Sequence, residues 1–259
     1  MTVSLRNLLK QIVLGAKSLR RPSIAYCCNH GLLPGVFVQT PAPKLRELLL
    51  LPESPHATQL NQDIFALLAN RFRPGFFVEI GANDGFTLSN TVYLEGQFGW
   101  NGLLVEANPQ YLDSLKNRKS KSVISAVVEQ EGYYEFCTAG LYGGVAEFLD
   151  KTHEKRTQNA GSITVWGTTL ERILEENGAP TIINFISIDV EGAEVSIVKQ
   201  MCRLRDYRFV CGCIEHNARQ ADYQRIARML KESGYRVVWE GQTQHDLFFV
   251  DERGLAGSG

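Results

Sequence analysis

Short apolar runs alternate with amphipathic stretches along the chain from residue 76 onward. The apolar runs are FFVEI, GLLVE, SVISAVV, TIINFISID, RFVCGCIEH, YRVVWE and DLFFV. The amphipathic stretches fall around residues 87–97, 109–117, 168–177, 192–204 and 219–233. Apolar strands separated by such helices are typical of a parallel sheet that is covered on both faces. The pattern therefore predicts an open α/β domain with a mostly parallel sheet.

One region breaks this alternation after the third predicted strand. The segment YYEFCTAG covers residues 133–140, and the polar stretch DKTHEKRTQNAGS covers residues 150–162. Aromatic residues of the first segment favour a strand, whereas the second has no apolar periodicity. We expect a short β excursion there, followed by a mobile loop.

The first part of the chain has a different character. Residues 4–20 place apolar side chains on one helical face, with Arg and Lys elsewhere, which predicts an amphipathic helix. That helix either packs on the main domain or lies on a membrane surface. Residues 22–56 contain most of the nine prolines and should be extended, and residues 57–70 have the pattern of a helix that leads into the first strand.

These differences divide the chain into two parts. Residues 1–70 form a helical and proline-rich extension, which serves as a cap or makes substrate or oligomer contacts. Residues 71–259 form the α/β domain. The sequence leaves homo-oligomer formation open.

Composition and charge narrow the class of protein. The 259 residues have a formal net charge of −1 at pH 7, so we expect no nucleic-acid partner. No apolar run approaches the roughly 20 residues that a membrane span requires. The six cysteines form no C-x-x-C pair and follow no cleavable signal peptide, so we interpret them as reduced thiols. A cytoplasmic protein is the expectation.

The first predicted strand ends in a turn that suits a ligand. In the segment FVEIGANDGF, Gly81 and Gly85 allow a tight turn and a close approach of backbone to ligand. The spacing differs from the G-x-G-x-x-G of dinucleotide folds, and no phosphate loop follows. The acids Glu79 and Asp84 favour a cationic or neutral ligand.

The second predicted strand ends in LLVEANP, which places Glu106 at 25 residues after Gly81 (106 − 81 = 25). An acid at this place can accept hydrogen bonds from both hydroxyls of a ribose. In open parallel sheets, ligands bind at the carboxyl ends of the strands. The two strand ends together indicate a ligand that carries a nucleoside.

Four segments resemble the FkbM-type methyltransferases, a family of S-adenosylmethionine-dependent enzymes with the class I (Rossmann-like) methyltransferase fold. The segments are VEIGANDGFTLSN, LLVEANP, SAVV and FISIDVEGAE, and the similarity covers roughly residues 72–250. The resemblance implies a seven-stranded, mostly parallel sheet whose last strand runs antiparallel, with helices on both faces. It also implies methyl transfer, usually to a hydroxyl oxygen of a polyketide or a sugar.

The resemblance also assigns roles to residues at the strand ends. It implies that Glu79, Gly81 and Gly85 form the turn beneath the methionine part of the cofactor, that Asn83 and Asp84 line this turn, that Glu106 holds the ribose, that Ala126 lies near the adenine, and that Asp189 faces the methyl donor and acceptor. Glu191 and Glu194 follow Asp189. They are either functional or acids that stabilise a helix N-terminus.

Methylation of an alcohol is helped by a base that takes the hydroxyl proton. His216, at the end of the fifth predicted strand, is one candidate; Asp189 either orients the acceptor or serves as the base itself. His245 is a further candidate. Alternatively, Asp189, Glu215 and His216 share a divalent cation, which we consider but do not favour.

The resulting hypothesis is an S-adenosylmethionine-dependent O-methyltransferase that acts on a small-molecule or glycan hydroxyl, such as that of a sugar or a polyketide-type natural product. An alternative is N-methylation or a protein acceptor, which would require an open and acidic acceptor pocket. Another alternative is a non-catalytic binding or scaffold module. The intact strand-end residues argue against this last alternative, and the missing G-x-G-x-x-G argues against a nicotinamide oxidoreductase.

Overall fold

The computed structural model describes residues 58–149, 160–238, 240 and 245–255. The helix predicted over residues 4–20 and the proline-rich segment lie outside the described residues. Most of the polar stretch at residues 150–162 lies outside them as well.

The described part of the chain alternates strands and helices as the sequence predicts. The strands are β1 Phe76–Ile80, β2 Asn101–Glu106, β3 Lys121–Ile124, β4 Ala126–Val127, β5 Gly132–Thr138, β6 Gly144–Val145, β7 Gly161–Thr168, β8 Ile182–Ile183, β9 Phe185–Ile188, β10 Arg208–Phe209, β11 Cys211–Glu215, β12 Tyr235–Val238 and β13 Asp246–Asp251. The α-helices are α1 Gln62–Ala69, α2 Val92–Phe98, α3 Leu112–Leu115, α4 Leu170–Glu176, α5 Glu194–Arg203, α6 Gln220–Glu232 and α7 Glu252–Leu255.

Seven strands form the main sheet in the order β12-β13-β11-β9-β1-β2-β3. The pairs from β11 to β3 are all parallel, and β13 pairs antiparallel with both of its neighbours. This is the expected α/β arrangement, with the last strand of the sequence inserted antiparallel near one edge. The fold prediction is therefore confirmed.

The strand register brings the polar strand ends to one edge of the main sheet. Ile80 of β1 is paired with Val105 of β2 on one side and with Ile188 of β9 on the other. Ile188 is in turn paired with Ile214 of β11. The residues that follow these four positions therefore lie side by side, because parallel strands end at the same edge of a sheet.

Three predicted strands are each split into two. The run SVISAVV forms β3 of the main sheet and β4 of a second sheet, whose order is β4-β7-β5-β6. TIINFISID is divided at Asn184, whose side chain accepts a hydrogen bond from the backbone of Phe76 (2.9 Å) and donates one to Asn70 (3.0 Å). The run RFVCGCIEH likewise gives β10 and β11. The β excursion predicted at residues 133–140 thus belongs to a four-stranded sheet.

This second sheet has one apolar and one open face. Phe136 and Val165 pack inward in a small core. On the opposite face, Tyr133 and Trp166 are paired across β5 and β7, with ring centroids 5.2 Å apart, and both are exposed.

Helix α1 packs into the core of the α/β domain, although it falls within the predicted extension. Ile64, Phe65 and Leu67 are fully buried, and the ring of Phe65 contacts that of Phe248 edge to face at 4.8 Å. Helix α1 also carries Gln62, whose side chain reaches the start of β13. In the described residues, no helix is both long and apolar enough to span a membrane.

Replacement of Phe65 by Ala should strongly destabilise the domain. The side chain is fully buried against β13, and its removal leaves a cavity that should lower the free energy of unfolding by about 3–5 kcal/mol. Urea denaturation measures this difference. Ile182→Ala is the control, because Ile182 is 50% exposed and its truncation should have a small effect. A wild-type stability of the F65A variant would show that α1 is not part of the folding unit.

Candidate active site

A cavity of about 310 Å³ opens at the edge of the main sheet where β1, β2, β9 and β11 end. Its volume is at the lower end of the range for small-molecule sites. The sequence-predicted residues that line it are Glu79, Gly81, Asn83, Glu106, Ala126, Asp189, Glu215 and His245. Tyr142 lies at its rim. Asp84, Gly85 and His216 are outside the described cavity lining.

Gly81 lets β1 turn away from the sheet at the floor of this cavity. Its backbone has a φ of 86°, and a Cβ placed there would lie 1.7 Å from the carbonyl oxygen of Asp189. No other residue fits without separating the two strands. The glycine therefore permits the close approach that the sequence predicted, but in this structure the approaching group is the backbone of the neighbouring strand.

Glu79 is buried in the cavity wall and fully hydrogen-bonded. Its carboxylate accepts hydrogen bonds from the hydroxyl of Ser89 (3.0 Å), the amide N–H of Asn90 (2.7 Å) and the hydroxyl of Thr91 (2.6 Å). Burial raises the pKa of Glu79, and the Arg118 guanidinium and these hydrogen bonds oppose that shift. Glu79 thus holds the segment that forms one wall of the cavity.

Asp84 and Gly85 serve the turn and the packing behind it. The carboxylate of Asp84 accepts hydrogen bonds from the amides of Phe86 (2.8 Å) and Thr87 (2.7 Å). At Gly85, where φ is 82°, a Cβ would lie 3.0 Å from a methyl group of Leu115 and 3.2 Å from Cγ of Arg118. The contact of Asp84 and Gly85 with a cofactor stays a prediction.

Glu106 presents its carboxylate at the opposite side of the cavity. One oxygen accepts the amide N–H of Asn83 (2.7 Å), and the other accepts that of Asn108 (2.8 Å). A carboxylate has about four acceptor positions, so two backbone bonds leave capacity for a pair of ribose hydroxyls. Burial raises the pKa of Glu106, while the backbone hydrogen bonds oppose that shift.

Three carboxylates converge at the end of β9 and β11. Side-chain oxygens of Asp189, Glu191 and Glu215 lie within 4.8 Å of one another. The amide of Asn217 donates to Glu191 (3.1 Å) and to Glu215 (2.9 Å). Asp189 is accessible to solvent through the cavity although protein surrounds it.

Two carboxyl groups of this cluster, those of Asp189 and Glu215, have raised pKa values. Burial and the nearby carboxylate of Glu215 raise the pKa of Asp189 well above its ordinary value. Burial, together with the charges of Glu191 and Asp246, raises the pKa of Glu215 to about 7. Like charges this close cannot all be ionised without a compensating cation.

The cluster also suits a divalent cation. The grouped residues are Asp189, Glu191 and Glu215, so Glu191 stands where the sequence suggested His216. Carboxylate oxygens are the ligands that Mg²⁺ and Ca²⁺ prefer. The metal ligand set therefore stays a prediction, with Glu191 as an added candidate.

The start of β13 completes this end of the cavity. Asp246 lies in the lining, and its carboxylate accepts a hydrogen bond from the side-chain amide of Gln62 in α1 (2.8 Å). Burial raises the pKa of Asp246 to about 6. His245, the second predicted base, is exposed beside it and lines the cavity.

His216 lies on the other face of the strand end. It is buried, its ring contacts Tyr223 with centroids 5.3 Å apart, and its Nδ1 has no hydrogen-bond partner among the described residues. Burial and then the neighbouring His245 lower the pKa of His216. His216 is not among the described residues that line the cavity, and its assignment as the base stays a prediction.

Glu194 anchors the loop between β9 and α5. Its carboxylate is buried and accepts hydrogen bonds from the amide of Gly192 (3.0 Å) and from Arg219 (3.0 Å). These contacts are those of a structural acid near a helix start, which is one of the two alternatives that the sequence left open. Gly192 itself is required because a Cβ would lie 2.3 Å from the carbonyl oxygen of Phe148.

Several residues of the site escaped the sequence analysis. They are Gln62, Asn90, Arg118, Ser187, Asn217 and Asp246. Asn217 and Asp246 adjoin predicted residues at strand ends, so their position offered a signal. Gln62 and Arg118 lie in helical or polar stretches with no local mark of a site.

The lining of the cavity is strongly acidic. Six carboxylates face it, from Glu79, Glu106, Asp189, Glu191, Glu215 and Asp246. No lysine or arginine is found among the described residues that line the cavity. A ligand with a positively charged group is therefore favoured over an anionic one.

Comparison with known proteins identifies the family. A sequence profile described as "Methyltransferase FkbM domain" matches residues 79–237, which is more than half of the chain. The chain belongs to the FkbM methyltransferase family. It is therefore an S-adenosylmethionine-dependent methyltransferase, and the resemblance noted in the sequence is confirmed. Comparison with curated proteins gave no match.

Solved structures similar to this FkbM family member are distant in sequence. A methyltransferase FkbM from Methylobacillus flagellatus has 14% identity and a TM-score of 0.44, over 94% of this chain and 58% of that one. A precorrin-6y C5,15-methyltransferase from Geobacter metallireducens has 14% identity and a TM-score of 0.41, over 76% and 90%. An O-methyltransferase from Bacillus cereus in complex with SAH has 12% identity and a TM-score of 0.43, over 95% and 99%.

Replacing Glu215 by Gln should weaken the pH dependence of stability. Because the pKa of Glu215 rises from 4.5 to about 7 on folding, the folded protein binds a proton that the unfolded chain has released. This contribution is complete below pH 4.5 and is lost as the pH rises through 7. At pH 8 the free energy of unfolding of the E215Q variant should exceed that of the wild type. The difference should be on the order of 1 kcal/mol, because solvent in the cavity screens part of the effect.

Urea denaturation at several pH values measures this difference. Glu129→Gln is the control, because Glu129 is an exposed acid paired with Lys199 outside the cavity. An E215Q variant that loses stability as steeply as the wild type between pH 5 and pH 8 would contradict the assignment.

Proposed function

We propose that this FkbM family member transfers the methyl group of S-adenosylmethionine to a hydroxyl oxygen of a small molecule, such as a sugar, a glycan or a polyketide-type product. The proposal rests mainly on one observation: Glu106 and Asp189 line the same cavity, on either side of Gly81. Glu106 suits the ribose, and the acidic group around Asp189 suits the positively charged sulfur.

The lining residues fit the parts of this cofactor. Glu106 has acceptor capacity left for two hydroxyls after its two backbone bonds. Ala126 and Val127 of β4 offer an apolar wall for the adenine. The methionine part would lie along Gly81 and Asn83.

The bound cofactor supplies a methyl group on a cationic sulfur, which makes that carbon electrophilic. The task of the chain is to hold the acceptor oxygen close to this carbon and to accept its proton. Asp189 and His245 both face the cavity and are the candidates for these two roles. The rim residues Leu141 and Tyr142 would shield the site from water.

Titration calorimetry with S-adenosylhomocysteine tests the proposal. We expect the full chain to bind S-adenosylhomocysteine at micromolar concentration. It should not bind NAD, because the chain lacks the glycine motif of NAD-binding folds. Parallel titrations with Mg²⁺ and with EDTA show whether a divalent cation takes part. Absence of S-adenosylhomocysteine binding in buffer alone, with Mg²⁺ and with EDTA would favour the scaffold alternative.

The variant Glu106→Ala should weaken the binding of S-adenosylhomocysteine. Loss of a charged hydrogen-bond partner should make binding less favourable by about 1–3 kcal/mol, which raises the Kd about 5- to 140-fold. The matched control is Glu129→Ala, which removes an exposed acid of the same type. Equal affinities of the E106A variant and the wild type would contradict the assignment of the ribose.

The acidic lining favours a second candidate function, which is methylation of an amine. Asp189, Glu191, Glu215 and Asp246 surround the end of the cavity away from Glu106. An amine acceptor that arrives protonated would be attracted there and could pass a proton to a carboxylate before transfer.

Acceptor pairs that differ only by N-acetylation separate the two functions. Glucosamine and N-acetylglucosamine share their remaining hydroxyls, but only glucosamine carries a basic nitrogen. Formation of S-adenosylhomocysteine with both compounds would support hydroxyl transfer. Turnover of glucosamine alone, with N-methylglucosamine as the product, would establish the amine reaction instead.

A further inference from the structure

Arg118 is a buried cation behind the wall of the cofactor cavity. Its side chain is 1% exposed and forms an ion pair with Glu95 at 2.8 Å. The guanidinium also donates to the carbonyl of Gly85, to the hydroxyl of Ser89 (3.2 Å) and to the hydroxyl of Thr91 (3.0 Å). Arg118 does not face the cavity, so any influence on the cofactor acts through the segment that it holds.

Two hydroxyl groups connect Arg118 to Glu79. Ser89 and Thr91 each accept a hydrogen bond from the guanidinium and each donate one to the same carboxylate oxygen of Glu79, at 3.0 and 2.6 Å. A hydroxyl has a single proton. The arginine occupies a lone pair on each oxygen, and the Ser89 oxygen also accepts hydrogen bonds from the amides of Thr91 (3.3 Å) and Val92 (3.2 Å), so both hydroxyl protons are directed toward Glu79.

The other oxygen of Glu79 fixes the backbone of the cavity wall. It accepts the amide N–H of Asn90 at 2.7 Å, and the Asn90 side chain donates to Ser187 on β9 at 2.9 Å. Asn90, Ser89 and Glu79 all line the cavity. The guanidinium, the two hydroxyls and the carboxylate therefore form one connected chain that ends at the cavity surface.

Gly85 makes room for this arginine. A Cβ at Gly85 would lie 3.2 Å from Cγ of Arg118 and 3.0 Å from Leu115, while the carbonyl of Gly85 accepts from the guanidinium. The second glycine of the segment EIGANDG (residues 79–85) thus accommodates Arg118.

We propose that Arg118 is a positioning residue for the cofactor, which acts through Ser89 and Thr91 to fix Glu79 and the segment at residues 85–91 in the binding conformation. This inference rests on the proposed use of S-adenosylmethionine at this site. A lysine cannot replace the arginine, because a single ammonium group cannot reach the two hydroxyls, the carbonyl and Glu95 with the same fixed geometry.

Two variants test this role by titration with S-adenosylhomocysteine. Arg118→Gln should raise the Kd about tenfold, because the binding wall loses its charged anchor. Thr91→Val keeps the shape and the arginine but removes one hydroxyl, so a smaller rise of about threefold is expected. Thr91→Val also covers the case in which Arg118→Gln fails to fold. Arg118→Lys should bind S-adenosylhomocysteine more tightly than Arg118→Gln but more weakly than the wild type.

The controls separate positioning from general stability. Ile226→Ala truncates a fully buried residue in the other helical layer and lowers the melting temperature without touching the wall. Arg208→Gln removes a different arginine, which is paired with the buried Asp251. Both controls should bind S-adenosylhomocysteine with the wild-type Kd when measured well below their melting temperatures.

A double-mutant cycle and hydrogen exchange complete the test. If Arg118 acts through Glu79, the effects of Arg118→Gln and Glu79→Gln on Kd should be far from additive. Hydrogen exchange in peptides covering residues 85–91 should be faster in R118Q and T91V than in both controls, with no ligand present. Additive effects, or wild-type Kd and exchange in R118Q and T91V, would overturn the proposal.

Failure of the proposed function has a different result. In that case the wild type itself would not bind S-adenosylhomocysteine, whereas the exchange measurement would still show whether Arg118 holds the segment. Wild-type exchange at residues 85–91 in both variants would overturn the inference by itself.

Discussion

The close contact between Gly81 and the carbonyl oxygen of Asp189 determines the shape of the site. The amides of Gly81 and Ala82 both donate to the carbonyl of Val105 in β2, at 2.9 and 3.1 Å, while the amide of Asp189 donates to Ile80 at 3.0 Å. The chain therefore leaves β1 while still bound to both neighbouring strands. A side chain at Gly81 would force these strands apart, and the Glu106 and Asp189 carboxylates would no longer share one cavity.

The charges behind and within the cavity are balanced in different ways. Glu79 is buried next to the Arg118 guanidinium, with two hydroxyls between them. Glu194 has Arg219 at 3.0 Å. Asp189 and Glu215, in contrast, lie beside other carboxylates, and burial together with these neighbouring charges raises the pKa of each. Burial of a charge without a partner is unfavourable. A cationic ligand would therefore offset the negative charge around Asp189 and Glu215, whereas Glu79 already has a cation behind it.

The parts of the site that follow apolar runs could be predicted from the sequence. Glu79 lies near the end of β1, Glu106 ends β2 and Asp189 follows β9, and strand ends meet at one edge in a parallel sheet. The position of His216 outside the described cavity lining was harder to predict, although strand geometry explains it. Successive side chains point to opposite faces, and Glu215 faces the cavity, so His216 faces Tyr223.

Other features could not be predicted because they depend on distant contacts. Gln62 and Asp246 are hydrogen-bonded across 184 positions of the chain, and neither has a local pattern that points to the other. Arg118 lies in the polar stretch KNRKS, which has the composition of an exposed loop. It is buried only because Glu95, Ser89 and Thr91 gather around it. The division of β8 from β9 likewise depends on the contacts of Asn184 with β1 and α1.

The family match covers most, but not all, of the residues that line the cavity. Residues 79–237 contain Glu79, Gly81, Glu106 and Asp189, which are the residues proposed for the cofactor. Gln62, His245 and Asp246 lie outside this range, yet they line the same cavity. The family match therefore does not extend to these three positions of the lining. What joins α1 to the start of β13 at this cavity is the hydrogen bond that the Gln62 side-chain amide donates to the Asp246 carboxylate (2.8 Å).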